Sequence, residues 1–180
     1  MDLLDLIEQK RFLGQEFLIW LWCLAEERGG SVSLPDGSEV TVIFEKHMLL
    51  EFGQGADCEK LVCRGEMTEL REARAGLALG KRPEQARLRL VREEREYSLT
   101  LNASTLEFRS MKLPAAGDGE QDRSGLEGQV LERIFLIEEG IDLINRLFCR
   151  FVTLRASEQW PAESAKLRQW ITKGAALATA

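Results

Sequence analysis

Two stretches of this chain place apolar residues at every second position, and that pattern restricts the fold more than any other feature of the sequence. In the first, across 38–52, Val40, Val42 and Phe44 are followed by Met48, Leu50 and Phe52, with polar Glu45-Lys46 between the triplets. Successive side chains of a strand point to opposite faces, so this spacing predicts a hairpin with one buried face and a tight turn at Glu45-Lys46. Pro35-Asp36-Gly37 is a turn sequence leading into it. In the second, Ala86, Leu88 and Leu90 alternate with Arg87 and Arg89, and Tyr97, Leu99 and Leu101 alternate with Ser98, Thr100 and Asn102. The charged run Glu93 to Glu96 between them predicts another hairpin turn. Leu61-Val62-Cys63 adds a third strand after the first hairpin, and Leu106, Phe108 and Met111 add a third after the second, ended by Pro114.

Helical spacing separates and flanks these units. Leu13, Phe17, Trp20, Leu21 and Leu24 form an amphipathic stripe across 12–28, with Trp22 off it, and Gly29-Gly30 predicts its end. Residues 68–79 are helical in composition and closed by Gly80. From Leu126 to Phe151, apolar residues recur every three or four positions, defining one long helix whose apolar face is widened by Leu131, Phe135, Leu143 and Leu147. Such a face can cover the sheet, meet the first helix or pair with a second chain. Residues 115–124, rich in glycine and charge, predict a flexible internal linker before it. Pro161 restarts a shorter helix through Trp170, and 174–180 is expected to fray. The expected fold class is α+β over 1–180 as a single domain: an antiparallel sheet of two three-stranded units, with an N-terminal, a middle and a long C-terminal helix packed against it.

A chain of 180 residues with 44% hydrophobic and 30% charged residues buries a core without disulfides or metal. Its acidic start, Met1-Asp2-Leu3-Leu4-Asp5, does not match a secretory leader. Its longest apolar run, 17–25, falls far short of the ~20 residues a spanning helix needs. The expectation is a cytoplasmic protein, with no membrane partner and with Cys23, Cys58, Cys63 and Cys149 reduced.

The residues that could carry chemistry are sparse, and the expectation is that the protein is not an enzyme and has no cofactor. His47 is the only histidine. It falls at the predicted hairpin turn, where an exposed polar strand residue explains it without acid–base chemistry. Cys58 and Cys63 lack the CxxC spacing of a zinc site and read as ordinary buried thiols. Gly76 to Lys81 has three rather than four residues between its glycines and Arg82 where a phosphate loop needs Ser or Thr, so it reads as a helix cap. Glu93, Glu94, Glu96, Glu138 and Glu139 are expected to face solvent.

Charge is distributed unevenly along the chain. Residues 60–112 hold twelve Lys or Arg against eight Asp or Glu, a balance of +4, within a chain of net charge −6. Arg87 and Arg89 share a strand face with Ser98, Thr100 and Asn102 if the second hairpin pairs as read, and Arg109 and Lys112 follow on the adjoining strand. Arg87, Arg89, Arg109 and Lys112 are therefore candidate phosphate contacts to double-stranded DNA; the competing reading is a solvated face paired to Glu107.

Three strings add a resemblance: Phe12-Leu13-Gly14-Gln15-Glu16-Phe17-Leu18-Ile19-Trp20-Leu21-Trp22, then Leu34-Pro35-Asp36-Gly37 to Phe44-Glu45, then Ala86-Arg87-Leu88-Arg89-Leu90 through Met111-Lys112-Leu113-Pro114. Across 12–114 the chain resembles the C-terminal region of bacterial recombination-associated RdgC proteins. The resemblance implies a nucleoid-associated, DNA-binding or recombination-modulating role with sequence-independent contacts. The N-terminal portion of that family is not matched here. The alternative expectation is an interaction module that docks a protein partner, or a second copy as a homodimer, through the long C-terminal helix.

Overall fold

The computed structural model describes residues 3–53, 58–64, 67–114 and 123–178. The elements run α1 (Leu3–Glu27), β1 (Ser31–Ser33), β2 (Glu39–Phe52), β3 (Glu59–Arg64), α2 (Met67–Ala78), β4 (Arg82–Arg92), β5 (Arg95–Asn102), β6 (Phe108–Lys112), α3 (Arg123–Arg155) and α4 (Trp160–Ala178). The expected α+β class holds, with the long helix near the C-terminus, but the three strands before α2 are not the three expected: β1 lies outside the expectation, and two expected strands are the single β2. All six strands form one antiparallel sheet, ordered β1-β2-β4-β5-β6, with β3 beside β1 along the same edge of β2.

The first predicted hairpin is corrected: 38–52 does not turn at Glu45-Lys46 but continues as the single strand β2. The apolar positions on both sides of that pair are even-numbered, the parity an uninterrupted strand keeps. The polar pair lies instead at an irregularity where Phe44 faces Leu88 and Met48 faces Ala86, four steps on β2 against two on β4. His47 is thus a mid-strand residue opposite Arg64, half-buried rather than at a turn. The second hairpin forms in the expected register, with Arg87 opposite Thr100 and Arg89 opposite Ser98.

Alternation gives the sheet one apolar face, formed by Val40, Val42, Met48, Leu50, Ala86, Leu88, Leu90, Tyr97, Leu99 and Leu101, all buried. The helices lie on that face. Every residue of α1 from Phe17 to Ala25 is buried, including Trp22, which helical spacing had placed off the stripe. A helix covered all round is a central element, so no second, polar face exists over that stretch. Trp22 meets Phe44 of the sheet at 5.8 Å between ring centroids and Trp170 of α4 at 5.2 Å. Gly29 and Gly30, at φ 61° and 94°, end the helix with Gly30 N donating to Ala25 O.

Three further boundaries differ from expectation. Arg123 and Ser124 belong to α3, while the rest of the 115–124 stretch lies outside the described residues, and α4 remains helical through the expected frayed segment to Ala178. The N-terminal helix also begins earlier than 12, at Leu3. Among the described residues, no helix is long and apolar enough to cross a membrane.

Candidate interaction surfaces

The first surface is the sheet face turned away from the helices. Register places Arg87, Thr100 and Arg109 in one row across β4, β5 and β6, and Arg89, Ser98 and Lys112 in the next. Ser110, at φ 52°, supplies the bulge that returns Lys112 to the same face as Arg109. All four predicted basic residues are therefore brought onto one face, with neighbouring strands within a row about 4.8 Å apart and the two rows about 6.6 Å apart along β4.

Their charge is largely met within the face. Arg87 Nε donates to Glu45 Oε2 at 2.7 Å and its Nη2 to Ser98 Oγ at 3.0 Å, while Ser98 Oγ donates to the same Glu45 oxygen at 3.2 Å. Arg89 lies 3.8 Å from Glu45 and 3.6 Å from Glu96. Arg109 pairs with Glu107 at 3.2 Å, and Lys112 is exposed. Among the described residues Glu107 pairs with Arg109, and the β4 arginines are paired by Glu45 and Glu96. Sequence reasoning missed Glu45 because it assigned that residue to a turn, whereas its odd-numbered position in β2 puts it on the arginine face.

The second surface is on α3. From Leu136 onward, Leu136, Gly140, Leu143, Ile144, Leu147 and Phe151 are buried. Residues 127–135 are exposed without interruption. Val130, Leu131, Ile134 and Phe135 in that stretch, and Ile137 just beyond buried Leu136, are 51, 67, 46, 52 and 40% exposed. Spacings of one, three and four make them one continuous patch on the helix surface. Glu127 and Glu138, eleven positions apart, lie at nearly the same azimuth and bound the patch at both ends.

The junction between these halves of α3 is held by Glu139, which is half-buried rather than solvent-facing as expected. Arg95 Nη1 donates to Glu139 Oε2 at 2.7 Å, and Tyr97 donates its hydroxyl proton to the same oxygen. Burial by itself raises the Glu139 pKa, but these donors and the Arg95 charge outweigh it and hold the carboxyl below its ordinary range. The same burial and the Glu139 charge push the Tyr97 hydroxyl upward, so it stays a donor. Because the folded carboxyl is the stronger acid, its contribution is complete above the ordinary value of 4.5 and is lost as pH falls through the folded value. Glu139→Gln is expected to cost about 2 kcal/mol at pH 7. It should also shrink the difference between urea midpoints measured at pH 7 and pH 3; an unchanged difference would show that Glu139 does not titrate with folding.

Cys63 is buried as expected and Cys58 is half-buried rather than buried, while Cys23 is buried and Cys149 exposed. Burial first, and then Glu27, push the Cys23 thiol up to about 12, which makes it inert as a nucleophile at neutral pH. Among the described residues, no group of three His, Cys, Asp or Glu is placed to hold a metal ion. Comparison of the chain with protein-family profiles, characterised proteins and solved structures returned no match.

Proposed function

We propose that the protein is a non-catalytic interaction module that docks a basic, amphipathic partner helix on the exposed half of α3. The observation that carries this reading is the continuous patch of Val130, Leu131, Ile134, Phe135 and Ile137 in a helix otherwise seated on the core. Contiguous apolar surface rimmed by charge is characteristic of docking sites, and a helix takes a helix on such a stripe. The two ends of the patch are acidic, while Arg133 borders one flank and Arg95 lies over the Phe135 ring at 5.5 Å; in this reading the acidic ends select the partner. A symmetric antiparallel pair of two copies, centred on the patch, sets Glu127 of each against Glu138 of the other, and a parallel pair sets like against like. A foreign helix carrying Lys or Arg about 16 Å apart, eleven residues at 1.5 Å each, complements both ends.

The test uses two synthetic helices with the same leucine stripe, one flanked by lysines at that spacing and one by glutamates. The basic peptide should bind and the acidic one should bind at least tenfold more weakly. Leu131→Gln with Ile134→Gln should weaken the basic peptide by tenfold or more, with stability changed by no more than about 0.5 kcal/mol. Equal binding of both peptides, or a concentration-dependent homodimer in sedimentation that the double variant abolishes, would sink the choice of partner.

A second reading is supported by the two rows of basic residues on the open sheet face. In it, Arg87, Arg89, Arg109 and Lys112 make sequence-independent contacts to duplex DNA phosphates at the nucleoid, the role that resemblance to the RdgC family implies. Phosphate would have to compete with Glu45, Glu96 and Glu107 for three of the four. This reading therefore predicts weak, steeply salt-dependent binding in fluorescence anisotropy, reduced by Arg87→Gln and Arg89→Gln. Binding that is absent at low salt from the folded protein excludes direct DNA contact.

A further inference from the structure

A third site lies apart from both surfaces, in a half-open cavity of about 220 Å³ between α1, α4 and the start of β4. Its floor is apolar. Trp160, Ser164, Leu167 and Ile171 follow one another along α4 at spacings of four, three and four, and Ile19 of α1 faces them across the groove. Leu167 and Ile19 belong to the buried core, so the floor is fixed. Trp160 is held from behind by Phe151, edge to face at 5.8 Å.

The rim is cationic. Arg82 and Arg168 both line the cavity, and among the described residues neither has a carboxylate within ion-pair distance. The one carboxylate on the wall, Glu16, is already engaged, accepting from Arg155 Nε at 2.5 Å. Arg155 in turn lies over the rings of Phe12 at 5.0 Å and Trp160 at 5.4 Å, which keeps that pair in place. The Ser164 hydroxyl donates to Pro161 O at 3.0 Å and so presents no free proton to the cavity. Two uncommitted guanidinium groups above an aromatic and aliphatic floor are the complement of a small molecule with an oxyanion at one end and an apolar body at the other.

We infer that this cavity binds a small organic anion, a carboxylate or phosphate monoester on an aryl or short acyl body, with Arg82 and Arg168 on the oxyanion and Trp160, Leu167 and Ile171 around the body. The cavity lies below the volume range of drug-sized ligand sites, which limits the body to about one ring. Arginine suits either head group, since its planar fork matches both carboxylate and phosphate.

The experiment follows the tryptophan indole N–H signals of the full chain by NMR during titration with benzoate, phenyl phosphate, inorganic phosphate and benzamide. Benzoate and phenyl phosphate should shift the Trp160 signal saturably and leave buried Trp20 and Trp22 in place. Which of the two binds more tightly identifies the head group. Inorganic phosphate, lacking the body, and benzamide, lacking the charge, should each bind at least tenfold more weakly. Arg82→Gln and Arg168→Gln, both exposed residues whose fold is checked by circular dichroism, should each weaken binding about tenfold. The inference is overturned if Trp160 does not respond saturably, if inorganic phosphate matches phenyl phosphate, or if the double variant binds as the parent does.

Discussion

Gly14→Ala is expected to destabilise the protein by about 3 kcal/mol or more, a larger effect than any surface substitution in the chain should have. A Cβ at Gly14 would lie 1.9 Å from the Ala103 carbonyl oxygen, 2.8 Å from its carbonyl carbon and 3.2 Å from its Cα. All three are backbone atoms, so no rotamer change relieves the overlap. Nor can Ala103 retreat freely. Its N–H donates to Glu84 O at 2.7 Å, and the neighbouring Asn102 N–H donates to Glu107 O at 3.0 Å, which pins the end of β5 between β4 and the turn into β6. Either α1 lifts off the sheet or those hydrogen bonds break. Gly140→Ala is the informative contrast. The nearest atom there is Met111 Cε at 2.2 Å, the end of a flexible side chain, followed by the Tyr97 ring at 3.0 Å. It should cost about 1 kcal/mol. Urea midpoints of the two variants decide the matter, and a Gly14→Ala variant within 1 kcal/mol of the parent would show that α1 has room to move.

Gly14 also marks what the sequence made legible and what it did not. Its place in the string Phe12-Leu13-Gly14 was visible, but the reason for a glycine there is a close approach to the turn after β5, almost ninety positions away, which local spacing does not encode. The second hairpin was legible because both its strands alternate cleanly around a charged turn. The first misled because a polar pair within a strand and a polar pair at a turn look alike, and only parity separates them. That single error hid Glu45 from the arginine face and made the face look more basic than it is. Trp22 was misplaced for a related reason: a stripe is the signature of a helix with one wet side, and α1 has none between Phe17 and Ala25. The cavity beneath Trp160 was illegible altogether, since it joins three elements through residues far apart in the chain.

Phe151→Ala is expected to cost about 4 kcal/mol, and the same truncation carried along α3 should change in effect from large to negligible. Phe151 is fully buried and sits at the centre of an aromatic cluster, with ring centroids 5.7 Å from Phe17, 5.7 Å from Trp20, 6.2 Å from Phe148 and 5.8 Å from Trp160. It therefore ties α1, α3 and α4 together, and removing its ring leaves a cavity lined by large rigid groups that cannot collapse into it. Several turns earlier on the same helix, Val130→Ala and Leu131→Ala should each change stability by no more than about 0.5 kcal/mol, because those side chains are already half or more in water. Both sets of residues belong to the same three-and-four repeat, so the repeat has two physical uses on one helix. From Leu136 onward its apolar groups stabilise the fold. Between Val130 and Phe135 they contribute almost nothing to it, and a surface of that size that stability does not require is the ground on which we propose a docked partner. Urea midpoints for the three variants, read beside their affinities for the basic peptide, separate the uses: Phe151→Ala should lower stability and leave the affinity of the folded fraction intact, and Leu131→Ala should do the reverse. If Leu131→Ala lowered stability by more than about 1 kcal/mol, the exposed half of α3 would be part of the core and the docking site would be lost.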